Sequence, residues 1–159
     1  MRYLLDASAL LPLVTKQGKN LLVRASQEWF AVTDLAIYEG CNGVWKMAHL
    51  LHSISIEDGM ETVSVIGELV ERGILHLLSV SELELAATLE LAIQRRLTYY
   101  DASYVMVAKN RGAVLVTQDR TLVESAQDQV RVLSVEDFER KLNRLPKRSN
   151  RDRAFSDLR

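Results

Sequence analysis

Four acids, Asp6, Glu39, Asp101 and Asp119, are the side chains of this sequence best placed to do chemistry. Asp6 directly follows the apolar run Tyr3-Leu4-Leu5. Asp119 follows the β-branched run Val114-Leu115-Val116. Asp101 opens a helical stretch, and Glu39 lies early in the helix expected after Trp29-Phe30-Ala31-Val32. Open parallel sheets place their ligand sites beyond the carboxyl ends of the strands, so all four acids could reach one edge. Acids gathered there repel one another, and burying them unpaired is costly. A divalent cation is the usual remedy. Oxygen donors without a Cys or His set suit Mg2+ or Mn2+ rather than Zn2+. Taken singly, each acid has a plainer explanation: Asp101 and Asp119 as helix caps, Glu39 as a solvated helix residue. Asp6, set behind an apolar strand, is the hardest to explain that way.

The elements that must position these acids alternate between short apolar runs and longer helical stretches. A strand at Tyr3-Leu4-Leu5 leads into a helix from about Ser8, with Pro12 expected to kink or briefly break it and Gly18 to interrupt it. A second short helix is expected from Asn20 to Glu28, then a strand at Trp29-Phe30-Ala31-Val32. Thr33 or Asp34 can cap the next helix, which should run to about His52, although Gly40 and Gly43 weaken it. Ile56 to Glu71 is amphipathic, with Met60, Val63, Ile66 and Val70 at helical spacing, and Gly73 ends it. Ile74 to Leu78 is a strand. Ser81 and Glu84 form a capping-box pattern opening a helix to about Gln94. A helix from Tyr100 or Asp101 to Gly112, a strand from Ala113 to Thr117, a helix from Arg120 to Ala126, a strand from Gln129 to Leu133 and a helix from Val135 to Leu142 complete the domain. This alternation argues for an α/β fold with a mostly parallel sheet.

The domain should span residues 1–142. In the stretch 143–159, Arg144, Lys147, Arg148, Arg151, Arg153 and Arg159 outnumber Asp152 and Asp157. The plain reading is a solvated, flexible basic tail; the functional one is an arm that grips a phosphate backbone. At 159 residues and 48% apolar, the chain is one ordinary globular domain. Its formal net charge of −1 argues against a pure RNA-binding module, which would be basic. A single cysteine, Cys41, excludes an internal disulfide and a multi-cysteine metal site. No apolar run approaches the ~18 residues of a membrane span, and Asp6 stands where an export signal would still be apolar, so a cytoplasmic protein is expected.

The segments around the acids resemble the PIN-domain family, particularly the VapC-type toxins of toxin–antitoxin pairs. Tyr3-Leu4-Leu5-Asp6-Ala7-Ser8 is similar to that family's apolar strand followed by D-x-S. Tyr38-Glu39-Gly40-Cys41-Asn42-Gly43-Val44-Trp45-Lys46 resembles its second motif. Leu97-Thr98-Tyr99-Tyr100-Asp101-Ala102-Ser103-Tyr104 resembles its L-T-x-x-D-A-x-Y segment, and Val114-Leu115-Val116-Thr117-Gln118-Asp119 its strand followed by T-x-D. The four segments occur in family order. The resemblance implies a three-layer α/β/α fold with a central, mostly parallel sheet of four to five strands. It implies hydrolysis of RNA phosphodiester bonds with Mg2+ or Mn2+, held by Asp6, Glu39, Asp101 and Asp119 directly or through water. Ser8, Asn42 and Thr117 would orient a carboxylate or a water. A VapB-like antitoxin and a homodimer are further implications. A non-catalytic PIN-like scaffold that binds RNA or protein, or an RNA-processing nuclease without an antitoxin, are the alternatives.

Other residues have plainer readings. His49, His52 and His76 lack a matching ligand set. Cys41 has no adjacent base and reads as a packed small residue. Trp45 and Met47 read as core or helix interface, and Tyr99 and Tyr100 as packing. Lys46, Lys109, Arg111 and Arg120 are candidate phosphate contacts against a default of solvated charge. A haloacid-dehalogenase phosphatase would need an acid at position 8, where Ser8 stands. A phospho-receiver domain would need an acidic pair after the first strand, which is absent.

Overall fold

The computed structural model describes residues 1–17, 22–23, 25 and 27–144. The expected Gly18 interruption, residues 20, 21, 24 and 26 of the expected Asn20 to Glu28 helix, and the basic tail beyond Arg144 lie outside the described residues. Five parallel strands form one sheet in the order β3-β2-β1-β4-β5. They are β1 (Arg2–Leu5), β2 (Trp29–Thr33), β3 (Leu75–Leu78), β4 (Val114–Val116) and β5 (Val132–Leu133). The helices are α1 (Ala7–Gln17), α2 (Asp34–Trp45), α3 (Ile56–Glu71), α4 (Leu85–Arg95), α5 (Tyr99–Arg111), α6 (Arg120–Ala126) and α7 (Val135–Asn143). Parallel strands covered on both faces read as continuous apolar runs. Leu4, Leu5, Phe30, Ala31, Val32, Leu115 and Val116 are accordingly all fully buried.

From β1 the chain builds outward through β2 to β3, then crosses back to lay β4 on the other side of β1. Right-handed crossovers in the two directions put their helices on opposite faces. Consistent with this, α1, α2 and α3 pack on one another, while α4 and α5 pack together and α5 covers β1 and β4. Beneath β1 and β2, Tyr3, Phe30 and Phe138 of α7 form an aromatic cluster with centroids 5.0 to 6.0 Å apart. Each such buried ring contributes on the order of 2–3 kcal/mol.

Several expectations change in detail. Pro12 lies inside α1 without breaking it. The helix after β2 does not run regularly to His52: α2 ends at Trp45 and passes into a π-helical turn, Lys46–Leu50, closed by Leu51 N–H donating to Lys46 C=O at 2.9 Å. The capping box lies two residues earlier than expected, because Ser79-Val80-Ser81-Glu82 carries the same pattern. Ser79 and Glu82 cap a short 3-10 turn, while Glu84 precedes α4 without a side-chain cap. Asp101 is not the cap of α5; that role falls to Thr98. On α3, Ile66 and Leu69 are buried, but Met60 and Val63 face outward, as does half of Trp45. The two glycines of α2 have a packing reason. A Cβ at Gly40 would touch Leu10, and one at Gly43 would lie 2.9 Å from Leu11 Cδ2, so α1 approaches α2 closely there. Gly112, at φ +57°, ends α5 in the left-handed region that other residues avoid.

Candidate active site

The strand order reverses its direction of growth between β1 and β4. In doubly wound sheets the crevice at that point, beyond the carboxyl ends of the strands, is where ligands bind. Asp6 leaves β1 and Thr117 leaves β4, side by side. The sheet ladder continues past both strands: Asp6 N–H donates to Val116 C=O at 3.2 Å and Thr117 N–H to Leu133 C=O at 3.1 Å. Both side chains therefore start from rigid backbone.

Asp6 is buried, at 4% exposure, an unusual place for a carboxylate. It is heavily solvated by protein. Ser8 Oγ lies 2.8 and 2.9 Å from its two oxygens, Thr117 Oγ1 donates at 2.6 Å, and Ala9 N–H donates at 2.8 Å. The two hydroxyls lie 3.2 Å apart and are themselves held from the next loop. Gln118 N–H donates to Ser8 at 2.8 Å and Asp119 N–H to Thr117 at 3.0 Å. Burial holds the Asp6 carboxyl above the ordinary 3.8; the bonds from Thr117, Ser8 and Ala9 pull it down and the charge of Asp119 pushes it up. Asp119 is exposed at the start of α6, where its carboxylate also caps the helix by accepting from Leu122 N–H at 3.1 Å. The capping reading of Asp119 therefore holds.

Glu39 is exposed on α2. Its Oε2 accepts a 2.7 Å hydrogen bond from Tyr104 of α5. Tyr104 is buried, and its hydroxyl is raised far above the ordinary phenol range by that burial and by Glu39, with Asp6 adding to the rise and the neighbouring Thr33 hydroxyl opposing it. Thr33 is the N-cap of α2, accepting from Ala36 N–H at 3.1 Å. Asp101 sits half-buried three residues before Tyr104 on α5, gripped by Thr98, whose hydroxyl donates to it at 2.7 Å. Asp6, Ser8, Thr117 and Asp119 are thus joined by direct bonds, with Tyr104 linking Glu39 to their neighbourhood. No contact joins Asp101 to the other acids, and Asn42 is exposed and bonded to none of them. Among the described residues, no three His, Cys, Asp or Glu side chains converge closely enough to hold an ion as they stand.

The donor chemistry nevertheless fits a hard divalent cation. The donors are oxygens only, and the buried Asp6 carries a desolvation cost and an Asp119 repulsion that a positive ion would offset. The histidines take no part: His49 stacks on Trp45 and His76 on Trp29. Burial pushes the Cys41 thiol up, away from a nucleophile's range. Arg111 is engaged by Glu82, whereas Lys46 and Arg120 are exposed. Tyr104 closes the L-T-x-x-D-A-x-Y segment, but the segment alone assigns it no role, and the Gln118 amide is not singled out by the linear pattern. An aromatic residue on a helix reads as core, and only its distance to Glu39 reveals more.

Comparison with known proteins agrees with this architecture. No family profile matches the chain. Over 118 residues, 74% of this chain and 80% of the relative, it is 35% identical to Exonuclease VapC9 of Pyrobaculum aerophilum. The crystal structure of PAE2754, also from Pyrobaculum aerophilum, superposes with a TM-score of 0.72 at 30% identity, covering 91% of each chain. DNA-bound VapBC from Salmonella typhimurium shares the fold at a TM-score of 0.59 and 16% identity, covering 85% of this chain and 98% of that one. The five-stranded parallel sheet flanked by helices is that of a PIN-domain protein. Within that class, the chain belongs to the VapC family.

Proposed function

We propose that this protein is a Mg2+- or Mn2+-dependent ribonuclease that hydrolyses RNA phosphodiester bonds, acting in the cytoplasm as the toxin of a VapBC-type pair. The observation that carries the reading is the buried Asp6, held by Ser8 and Thr117 at the switch point with Asp119 beside it. Asp6, Glu39, Asp101 and Asp119 would hold the ion, directly or through water. When bound, the ion acidifies a water molecule and neutralises charge building on the phosphate. Ser8 and Thr117 fix the direction of the Asp6 oxygens. Thr98 restrains Asp101. Glu39, Asp101 and Asp119 retain solvent access. Exonuclease VapC9 supports a nuclease, and the Salmonella VapBC assembly supports an antitoxin partner. The open apolar groove lined by Val44, Trp45, Ile56, Met60 and Val63 supports a protein partner, an antitoxin or a second copy in a homodimer. No described helix is long and apolar enough to cross a membrane.

The test is cleavage of labelled total RNA or tRNA by purified, partner-free protein with Mg2+ or Mn2+, beside an EDTA control and Asp101→Asn. The expected result is metal-dependent cutting that the variant loses. Folded wild-type protein that cuts nothing with either metal would sink the proposal in favour of a binding scaffold.

A further inference from the structure

Resting on the divalent-cation reading above, we propose that Tyr104 is a positioning residue whose hydroxyl fixes the Glu39 carboxylate in register with Asp101. A Glu on an exposed helix face has three rotatable side-chain torsions and no intrinsic reason to point at a sheet edge. Glu39 is such a residue, yet Tyr104 Oη holds its Oε2 at 2.7 Å. A carboxylate only accepts, and the phenol is protonated at neutral pH, so the direction of this bond is settled: Tyr104 donates. The second oxygen, Oε1, has no protein partner among the described residues and is the atom left to meet a ligand.

The anchor is rigid. Tyr104 is 3% exposed, so its ring is placed by the core rather than by a loop. Thr33, which caps the very helix that carries Glu39, lies close enough to act on the same hydroxyl. On α5, Asp101 and Tyr104 are three residues apart and share a face. One helix therefore supplies an acid and, a turn later, the clamp that orients the acid of another helix. Supporting bonds of this kind are what hold a constellation to its working geometry.

The experiment is calorimetric titration of the full chain with MnCl2 alone, with no RNA present, on wild type, Tyr104→Phe, Glu39→Ala and the double variant, with melting curves to verify folding. Tyr104→Phe keeps the ring and removes only the hydroxyl. Expected is a loss of Mn2+ affinity of about tenfold to a hundredfold in Tyr104→Phe. In the Glu39→Ala background the same change should cost nothing more, because its target is gone. A merely structural role would weaken binding equally in both backgrounds, and that result overturns the proposal. Unchanged affinity in Tyr104→Phe, with normal wild-type binding, overturns it too and leaves the cation reading standing. Absence of any Mn2+ binding by wild type overturns both together.

Discussion

Asp6 shows what a site of this kind demands of a single residue. The fold takes the carboxylate out of water and returns hydrogen bonds from Ser8, Thr117 and Ala9, and the balance still leaves its pKa raised. As pH rises past the ordinary 3.8, an unfolded Asp ionises before the folded one does. The stability contributed by the protonated form is therefore complete below that value and is lost as pH rises through the folded pKa. In EDTA, the melting temperature of wild type minus that of Asp6→Asn should fall from acid to neutral pH, since other titrating groups cancel in the difference. A gap that stays flat would refute the desolvation account. Thr117→Val removes the 2.6 Å donor to Asp6 and the acceptor of Asp119 N–H. It should cost about 1–3 kcal/mol, read from denaturant melts, because buried polar groups lose partners. Ser8 and Thr117 were legible in the sequence because each lies two residues from an acid. Tyr104 was legible only as the last residue of the L-T-x-x-D-A-x-Y segment; its bond to Glu39 was not, because that partner is 65 residues away and no local spacing connects them.

At the level of elements, the strands and most helices could be read from periodicity, since β-branched runs and caps are local signals. The misreadings share a cause: tertiary packing decided between locally equivalent options. Two overlapping Ser-x-x-Glu patterns competed, and the one at Ser79 closed. Pro12 survives within α1, whose inner side chains Leu10 and Leu13 are buried. Gly40 and Gly43 looked like weaknesses in α2 because α1 is invisible in the linear pattern. Their environments differ, and so should their substitutions. A Cβ at Gly40 would make ordinary contact with Leu10 at 3.7 Å, so Gly40→Ala should stabilise by about 0.4–1 kcal/mol. Gly43→Ala would press on Leu11, which must move, so its gain should be smaller or absent. Thermal melting of the two variants side by side decides this; equal stabilisation would contradict the close α1–α2 approach.

For the whole molecule, the proposed ion links stability to the site. A ligand that binds only the folded state stabilises it by mass action, about 2.7 kcal/mol at a hundredfold excess over Kd. Mn2+ should therefore raise the melting temperature of wild type and leave Asp6→Asn nearly unmoved; a shift of equal size in both would place the ion elsewhere. The sheet order has a consequence for the timing of synthesis. β1 is the central strand, yet one of its two neighbours, β4, is far later in the chain, and Thr117 reaches Asp6 across 111 residues. A growing chain on the ribosome carries Asp6 early but cannot complete its surroundings until β4 and Asp119 have emerged. On the proposed reading, a copy made only as far as β3 would be inert toward the messenger RNA that encodes it, and cutting power would arrive only once β4 and Asp119 had emerged.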